Sequence, residues 1–217
     1  MSDFAHRRTI MVDTQVRPSD VTKFPIINAM LTVPREQFVP DNRREAAYAG
    51  ENLDIGYGRL LLEPRTFAKM LEVADIQPDD LVLDVACGLG YSAAVAAKLA
   101  EAVIALEDSG ELCAEAEAAL SAVGADNVAV VEGQLVEGAE KHGPYDVILI
   151  EGGVEAVPDS LCDQLKPGGR IVAIFDDGHT GTAKVGYRTE DSTDWLYAFN
   201  ASGPVLPGFR CAQEFAL

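Results

Sequence analysis

Apolar residues gather along the middle of this chain in short unbroken blocks, separated by stretches in which they recur every three or four positions. The blocks are Leu81 to Val85, Ala102 to Leu106, Asn127 to Val131, Tyr145 to Ile150 and Arg170 to Phe175. Runs so uniformly apolar predict strands of a sheet covered on both faces. Between them, Ser92 to Ala100 and Ser109 to Val123 are rich in alanine. In the second, Leu112, Ala116, Ala119, Leu120 and Val123 share a face, and Gly124 stops the helix. Asp159 to Leu165 predicts a short helix and Lys166 to Gly169 a turn. Strand and helix in alternation make a parallel, right-handed, doubly wound sheet the economical architecture.

Upstream, Met11, Val16, Val21, Phe24, Ile27, Met30 and Leu31 recur at mixed spacing and predict a polar helical cap. Pro18 with Ser19-Asp20 supplies a helix start. Val33-Pro34 and Pro40-Asp41 break the chain before a short helix around Arg43 to Tyr48. Gly50 to Pro64 is glycine-rich and then apolar, which predicts an ordered loop or a short extended piece of the kind that lines sites. Phe67, Met70, Leu71 and Ala74 then mark an amphipathic helix over Arg65 to Ala74.

Beyond Asp176 the alternation stops. Thr182 to Thr189 and Arg210 to Phe215 predict two strands forming an antiparallel pair at one edge, while Trp195, Tyr197 and Phe199 alternate as if to pack a strand edge or tail. With no internal repeat or linker, one domain is expected over residues 1–217. Its parts are a helical and loop-bearing extension (1–75) and a Rossmann-like core (76–217).

The stretch Leu81-Val82-Leu83-Asp84-Val85-Ala86-Cys87-Gly88-Leu89-Gly90-Tyr91 carries the chemistry. A strand ends in an acid, passes through small residues, and enters a helix at once. Glycine suits such a turn because a Cβ would block close approach of a ligand to the backbone. The small residues fall as Ala86-x-Gly88-x-Gly90, tighter than a dinucleotide fingerprint and matching an S-adenosylmethionine (AdoMet) cradle. The next strand ends in Glu107, nineteen residues past Gly88, where a carboxylate can accept both hydroxyls of a ribose. Asp84, Ala86, Cys87, Gly88, Gly90, Tyr91, Glu107, Asp108, Gln134 and Leu135 are therefore the candidate cofactor residues, Gln134 meeting adenine through its amide.

Composition narrows the partners. The chain has 217 residues, 48% of them hydrophobic, enough for a substantial core. Asp and Glu number 35 against 17 Lys and Arg, and the net charge of −18 disfavours nucleic acid and anionic lipid. Cys87, Cys113, Cys162 and Cys211 are scattered, as are His6, His142 and His179, so neither a metal site nor a disulfide framework is indicated. No apolar run has membrane-spanning length and the N-terminus lacks a leader-like apolar segment, so a cytoplasmic protein with reduced thiols is expected.

Specific motifs then point to a family. Asn28-Ala29-Met30-Leu31-Thr32-Val33-Pro34-Arg35-Glu36-Gln37-Phe38-Val39-Pro40, Ala47-Tyr48, Ile55-Gly56-Tyr57-Gly58 and Glu63-Pro64 resemble the protein-L-isoaspartate O-methyltransferases. The likeness runs on through Gly88-Leu89-Gly90-Tyr91, Gly133, Pro144-Tyr145-Asp146 and Gln164-Leu165-Lys166-Pro167-Gly168-Gly169. It implies a Rossmann-like AdoMet-dependent methyltransferase with a seven-stranded, mostly parallel sheet and an antiparallel C-terminal strand. It also implies methyl esterification of isoaspartyl side chains in damaged proteins, a cytosolic repair role. Such a reaction needs alignment and a dry pocket more than acid–base help, because a carboxylate is already nucleophilic. No catalytic residue is assigned.

The substrate half departs from the family pattern. Where the family loop reads G-Q-T-I-S-Q-P, this chain has Gly58-Arg59-Leu60-Leu61-Leu62-Glu63-Pro64, with Leu62 in place of the serine. Upstream, the family's A-Y-x-D-x-P-L-P-I-G becomes Ala47-Tyr48-Ala49-Gly50-Glu51-Asn52-Leu53-Asp54-Ile55-Gly56. Past the fourth strand stands Glu151-Gly152-Gly153, placing a carboxylate near the approach of an anionic substrate, where like charges repel. Ile55, Leu60, Leu61, Leu62 and Glu151 are the candidate substrate residues. Two alternatives stay open: a methyltransferase acting on a more apolar acceptor, and a non-catalytic AdoMet-binding interaction protein.

Overall fold

The computed structural model describes residues 3–176, 178 and 181–211. Helix α1 (Phe4–Met11) opens the chain and continues through irregular helical turns to Ser19; α2 (Phe24–Thr32) follows, with Pro25 in its first turn. That start lies later than Pro18 to Asp20, because Asp20 takes a left-handed conformation that ends the preceding turn (φ 62°). Tight helical turns cover Arg35–Gln37 and Asp41–Ala46, the second in place of the helix expected near Arg43. The loop region holds a two-stranded hairpin, β1 (Leu53–Gly56) and β2 (Arg59–Leu61), leading into α3 (Pro64–Ala74).

The core then alternates: β3 (Leu81–Val85), α4 (Tyr91–Ala96), β4 (Ala102–Glu107), α5 (Gly110–Ala122), β5 (Val128–Glu132), β6 (Tyr145–Val154), α6 (Asp159–Cys162) and β7 (Leu165–Phe175). Two further strands, β8 (Thr182–Arg188) and β9 (Thr193–Asn200), complete a seven-stranded sheet of order β5-β4-β3-β6-β7-β8-β9. Its pairings are parallel from β5 to β7, and β8 is antiparallel to both neighbours. The residues expected as a turn at 166–169 loop out between the Tyr145–Leu165 and Val147–Arg170 pairings, with Gly168 at φ 83°.

One expectation fails at the C-terminal edge. The partner of β8 is Thr193–Asn200, the segment of alternating Trp195, Tyr197 and Phe199, whereas Arg210 and Cys211 lie outside any strand. Seven residues from Thr182 pair with it as a hairpin, the local connection that sheet topology favours. Residues 212–215 of the expected strand and His179 lie outside the described residues.

Strand alternation divides the core. Val82, Val103, Ala105, Val147, Leu149, Val172 and Ile174 face the layer holding the N-terminal helices and α3 to α5; Leu83, Val85, Leu106, Ile148, Ile150 and Ile171 face Leu135, Leu161, Leu206 and Phe209. The first layer sets the cradle-bearing end of β3 and β4 beneath the hairpin. Among the described residues no helix is long and apolar enough to cross a membrane.

Candidate cofactor site

The end of β3 turns through three left-handed residues, Ala86 (φ 63°), Gly88 (φ 55°) and Gly90 (φ 91°), before α4 begins at Tyr91. Ala86 and Cys87 donate their amides to the Leu106 carbonyl at 2.9 and 3.3 Å, which pins this turn to the end of β4. Left-handed backbone at a non-glycine residue costs about 1–3 kcal/mol, so the surrounding structure imposes Ala86's conformation.

At the tip of β4 the Glu107 side chain is fully buried and accepts the Gly88 amide at 3.0 Å and the Asp108 amide at 2.9 Å. Its remaining capacity goes to Arg59 of β2. Arg59 Nε lies 3.1 Å from both Glu107 oxygens, and Nη2 reaches Oε1 at 2.7 Å and Asp108 Oδ1 at 2.5 Å. A carboxylate offers about four acceptor positions, and here they are filled from within the chain. Burial works to lower the Arg59 guanidinium, but Glu107 and Asp108 outweigh it and hold the group above its ordinary value.

Beside this pair lies a second polar group inside the core. Asp84 Oδ2 accepts from Ser92 Oγ at 2.6 Å, while Oδ1 is buried without a hydrogen-bond partner. Burial, with Glu107 adding its charge against the Ser92 bond, pushes the Asp84 carboxyl up to about 7. Glu151 is also buried, with Oε1 unpartnered; burial and the neighbouring Asp84 raise its carboxyl well above the usual range, and Arg35 opposes this. That burial works against the charge repulsion expected of Glu151 towards an anionic substrate, because it disfavours the charged form of the side chain. The buried Tyr91 hydroxyl is likewise unpartnered.

Arg35 ties these parts together. Its Nε donates to the Ala47 carbonyl at 2.6 Å and its Nη2 to the Leu62 carbonyl at 2.7 Å, and its guanidinium stacks 4.7 Å from the centre of the Tyr91 ring. Phe38 and Phe67 pack against the same ring at centroid distances of 5.8 and 5.6 Å.

Ile55, Leu60, Leu61, Leu62, Ala86, Cys87, Tyr91 and Glu151 meet around one small enclosed space of about 10 Å³, room for a single water. Gly88, Glu107 and Asp108 do not line that space; they are joined to one another and to Arg59 by hydrogen bonds at the tip of β4. Asp84 and Gly90 belong to the strand end and turn described above, whereas Gln134 and Leu135 stand apart: Gln134 is exposed just beyond β5, and Leu135 is buried in the opposite core layer. Gly133 links that turn to the seat by donating its amide to the Glu107 carbonyl at 2.9 Å. Burial pushes the Cys87 thiol up, which leaves it an apolar packing group.

Sequence reasoning gave no role to Arg59 or Arg35. The signal for Arg59 was its place in the departed loop motif, a cation where the family has an amide.

The cradle's polar groups suit an adenosine cofactor: a strand-tip carboxylate, two glycines in a tight turn and a buried acid with one unpartnered oxygen. Its space is taken by the chain's own side chains. Ile55 Cδ1 sits 2.7 Å from where a Cβ on Gly88 would stand, so the glycine's open face is covered by the hairpin.

Comparison with known proteins bears on what such a site does. Residues 8–194 match the family model of protein-L-isoaspartate(D-aspartate) O-methyltransferase. The chain is 40% identical over 172 residues to the protein-L-isoaspartate O-methyltransferase of Koribacter versatilis (strain Ellin345), covering 79% of this chain and 78% of that one. It is also 40% identical over 198 residues to that of Synechococcus sp. (strain JA-2-3B'a(2-13)), covering 89% and 81%. A solved protein-L-isoaspartate O-methyltransferase superposes with a TM-score of 0.79 at 25% identity, over 94% of this chain and 66% of that one. A Plasmodium falciparum structure of the same description, in complex with S-adenosyl-L-homocysteine, superposes with a TM-score of 0.78 at 17% identity, over 95% and 99%, and so shares the fold.

Proposed function

The chain belongs to the protein-L-isoaspartate(D-aspartate) O-methyltransferase family, and on that premise we propose that it is an AdoMet-dependent O-methyltransferase acting on isoaspartyl side chains of proteins and peptides. The match over residues 8–194 carries this reading. AdoMet supplies, when bound, an electrophilic methyl group on a sulfonium.

The chain's own residues do the positioning. Glu107 is the carboxylate for the ribose hydroxyls, and the turn at Gly88 and Gly90 supplies close backbone approach. Asp84, with one oxygen unpartnered, suits the cofactor's ammonium group. Leu60, Leu61, Leu62, Phe38 and Phe67 exclude water from the cavity, which strengthens electrostatic contacts inside it. Glu151 lines the same space as Leu62 with Oε1 unpartnered, a polar group positioned to meet an incoming carboxyl where Leu62 offers none. The reading includes one domain built from residues 1–75 and 76–217, a cytoplasmic location and no nucleic-acid partner; the net charge of −18 supports the last.

Leu62 in the register of the family serine favours a second reading, methyl transfer to a more apolar acceptor. The experiment is transfer of labelled methyl from AdoMet to matched isoaspartyl and aspartyl peptides, scored as base-labile ester. Selective labelling of the isoaspartyl peptide is expected. Labelling of small-molecule fractions instead would establish the second reading, and no labelling of any acceptor would overturn both.

A further inference from the structure

Arg59 does at Glu107 what a ribose would do there: it saturates a buried carboxylate with directed donors. We infer that the β1–β2 hairpin is a displaceable internal occupant of the nucleoside seat, with the Arg59 guanidinium competing against the cofactor for Glu107. This rests on Glu107 being the ribose acid, as proposed above.

Three observations carry it. First, the contact is complete: Arg59 is 2% exposed and Glu107 0%, and no Glu107 acceptor position is left for an incoming hydroxyl. Second, the hairpin also fills the volume. Ile55 covers Gly88, and where Ile55, Leu60 and Leu61 of the hairpin meet Ala86 and Cys87 of the cradle turn only about 10 Å³ is left, against roughly 300–1,000 Å³ for sites that hold a small molecule. Third, the occupant is a separable unit. β1 and β2 pair only with each other, through Leu53–Leu61, Asp54–Leu60 and Gly56–Arg59, and share no ladder with the seven-stranded sheet. A lone two-stranded hairpin is marginal in water, so this one stays docked through Arg59, the buried Leu53, Ile55 and Leu61, and the Arg35 bond to Leu62.

The hairpin can therefore leave without breaking a ladder of the seven-stranded sheet, at the cost of exposing Leu53, Ile55 and Leu61. Its departure exposes Glu107, the Gly88 amide and the open face of Gly88 together, which are the parts of a nucleoside seat. Cofactor affinity is then the intrinsic affinity multiplied by the fraction of molecules with the hairpin undocked. An amide at position 59 keeps a donor but removes the charge that holds the closed state.

The test is titration calorimetry of S-adenosylhomocysteine against the full chain and its Arg59→Gln variant. A second observation on the unaltered chain follows the Arg59 Nε–H by NMR. The hairpin account expects Arg59→Gln to bind at least tenfold more tightly, and the slowly exchanging Arg59 Nε–H to lose protection when the unaltered chain is saturated. Equal affinity in the two chains would overturn the internal occupant and leave the cofactor reading standing. No binding by either folded chain would overturn both. If Arg59→Gln does not fold, the NMR observation decides: protection that persists at saturation contradicts displacement.

Discussion

Arg35 holds the Leu62 carbonyl at 2.7 Å from a side chain that is itself 1% exposed, so the loop bordering the cavity hangs from a buried guanidinium of the N-terminal segment. The same side chain reaches Ala47 through a second nitrogen, and burial lowers its guanidinium from the ordinary value. Only a planar fork can serve both carbonyls at once. Arg35→Lys should therefore cost about 2–4 kcal/mol of stability, the range for breaking buried charge-assisted hydrogen bonds. Urea unfolding measures the loss; a loss under about 0.5 kcal/mol would show that the fork is dispensable.

Asp84 and Glu151 make a prediction about pH. Both carboxyls sit above their ordinary range because burial disfavours the charged form, with Asp84 at about 7. Their unfolded values are near 4, so the stability they contribute is complete below about pH 4 and is lost as pH rises through the folded values. The groups around them are Ser92 and Glu107 at Asp84, and Arg35 with Asp84 itself at Glu151. Thermal unfolding should show the chain losing stability from about pH 4 towards about pH 7 at Asp84, with Glu151 adding to the loss in the same direction. Glu151→Gln should be level with the parent at low pH and the more stable of the two as pH rises above neutrality. Equal pH profiles for the two proteins would contradict a raised Glu151 carboxyl.

The two glycines after Glu151 answer to the C-terminal segment. Gly153 donates its amide to the Pro204 carbonyl at 2.9 Å and accepts from Leu206 at 2.8 Å, and a Cβ on it would stand 2.4 Å from the Gly203 oxygen. That neighbour is backbone and cannot rotate away. Gly153→Ala should push residues 203–206 off β6, cost about 1–3 kcal/mol and speed proteolytic cutting near Ser202. Unchanged cutting would mean the segment tolerates the methyl.

Removing one partner from the Arg59–Glu107 pair should be worse than removing both charges. Arg59→Met strands a buried carboxylate, at a cost of about 3–5 kcal/mol. Glu107→Gln added to it keeps an acceptor for the Gly88 amide without the charge, and should recover at least half of that loss. Additive losses in the double variant would show that the two residues do not act as a pair.

How much of this was legible in the chain differs from part to part. The apolar blocks from Leu81 to Phe175 became strands, the inner ones because burial on both faces leaves no polar phase to misread, while β5 at the edge is only half-buried. The edge was harder: Trp195, Tyr197 and Phe199 were visible as an alternation, but Tyr197 is 65% exposed, so burial gave the segment little strand signal. The cradle was readable from Gly88, Gly90 and Glu107, since spacing fixes strand, turn and strand tip. Its occupant was not, because an arginine next to Gly58 reads as a solvated loop cation until Glu107 lies beneath it. Gly152 and Gly153 carry no signal of their own in the chain; Leu206 and Gly203, packed against them, explain them. Contacts that join residues about fifty positions apart, as Arg59 joins Glu107, leave no periodic trace.

The most direct measurement is a crystal structure of the full chain grown with saturating S-adenosylhomocysteine. The account predicts ribose hydroxyls on the Glu107 carboxylate, with Arg59 no longer within hydrogen-bonding distance of it and Ile55 withdrawn from Gly88. A crystal in which the nucleoside binds elsewhere, or fails to bind, while Arg59 remains on Glu107 would contradict it.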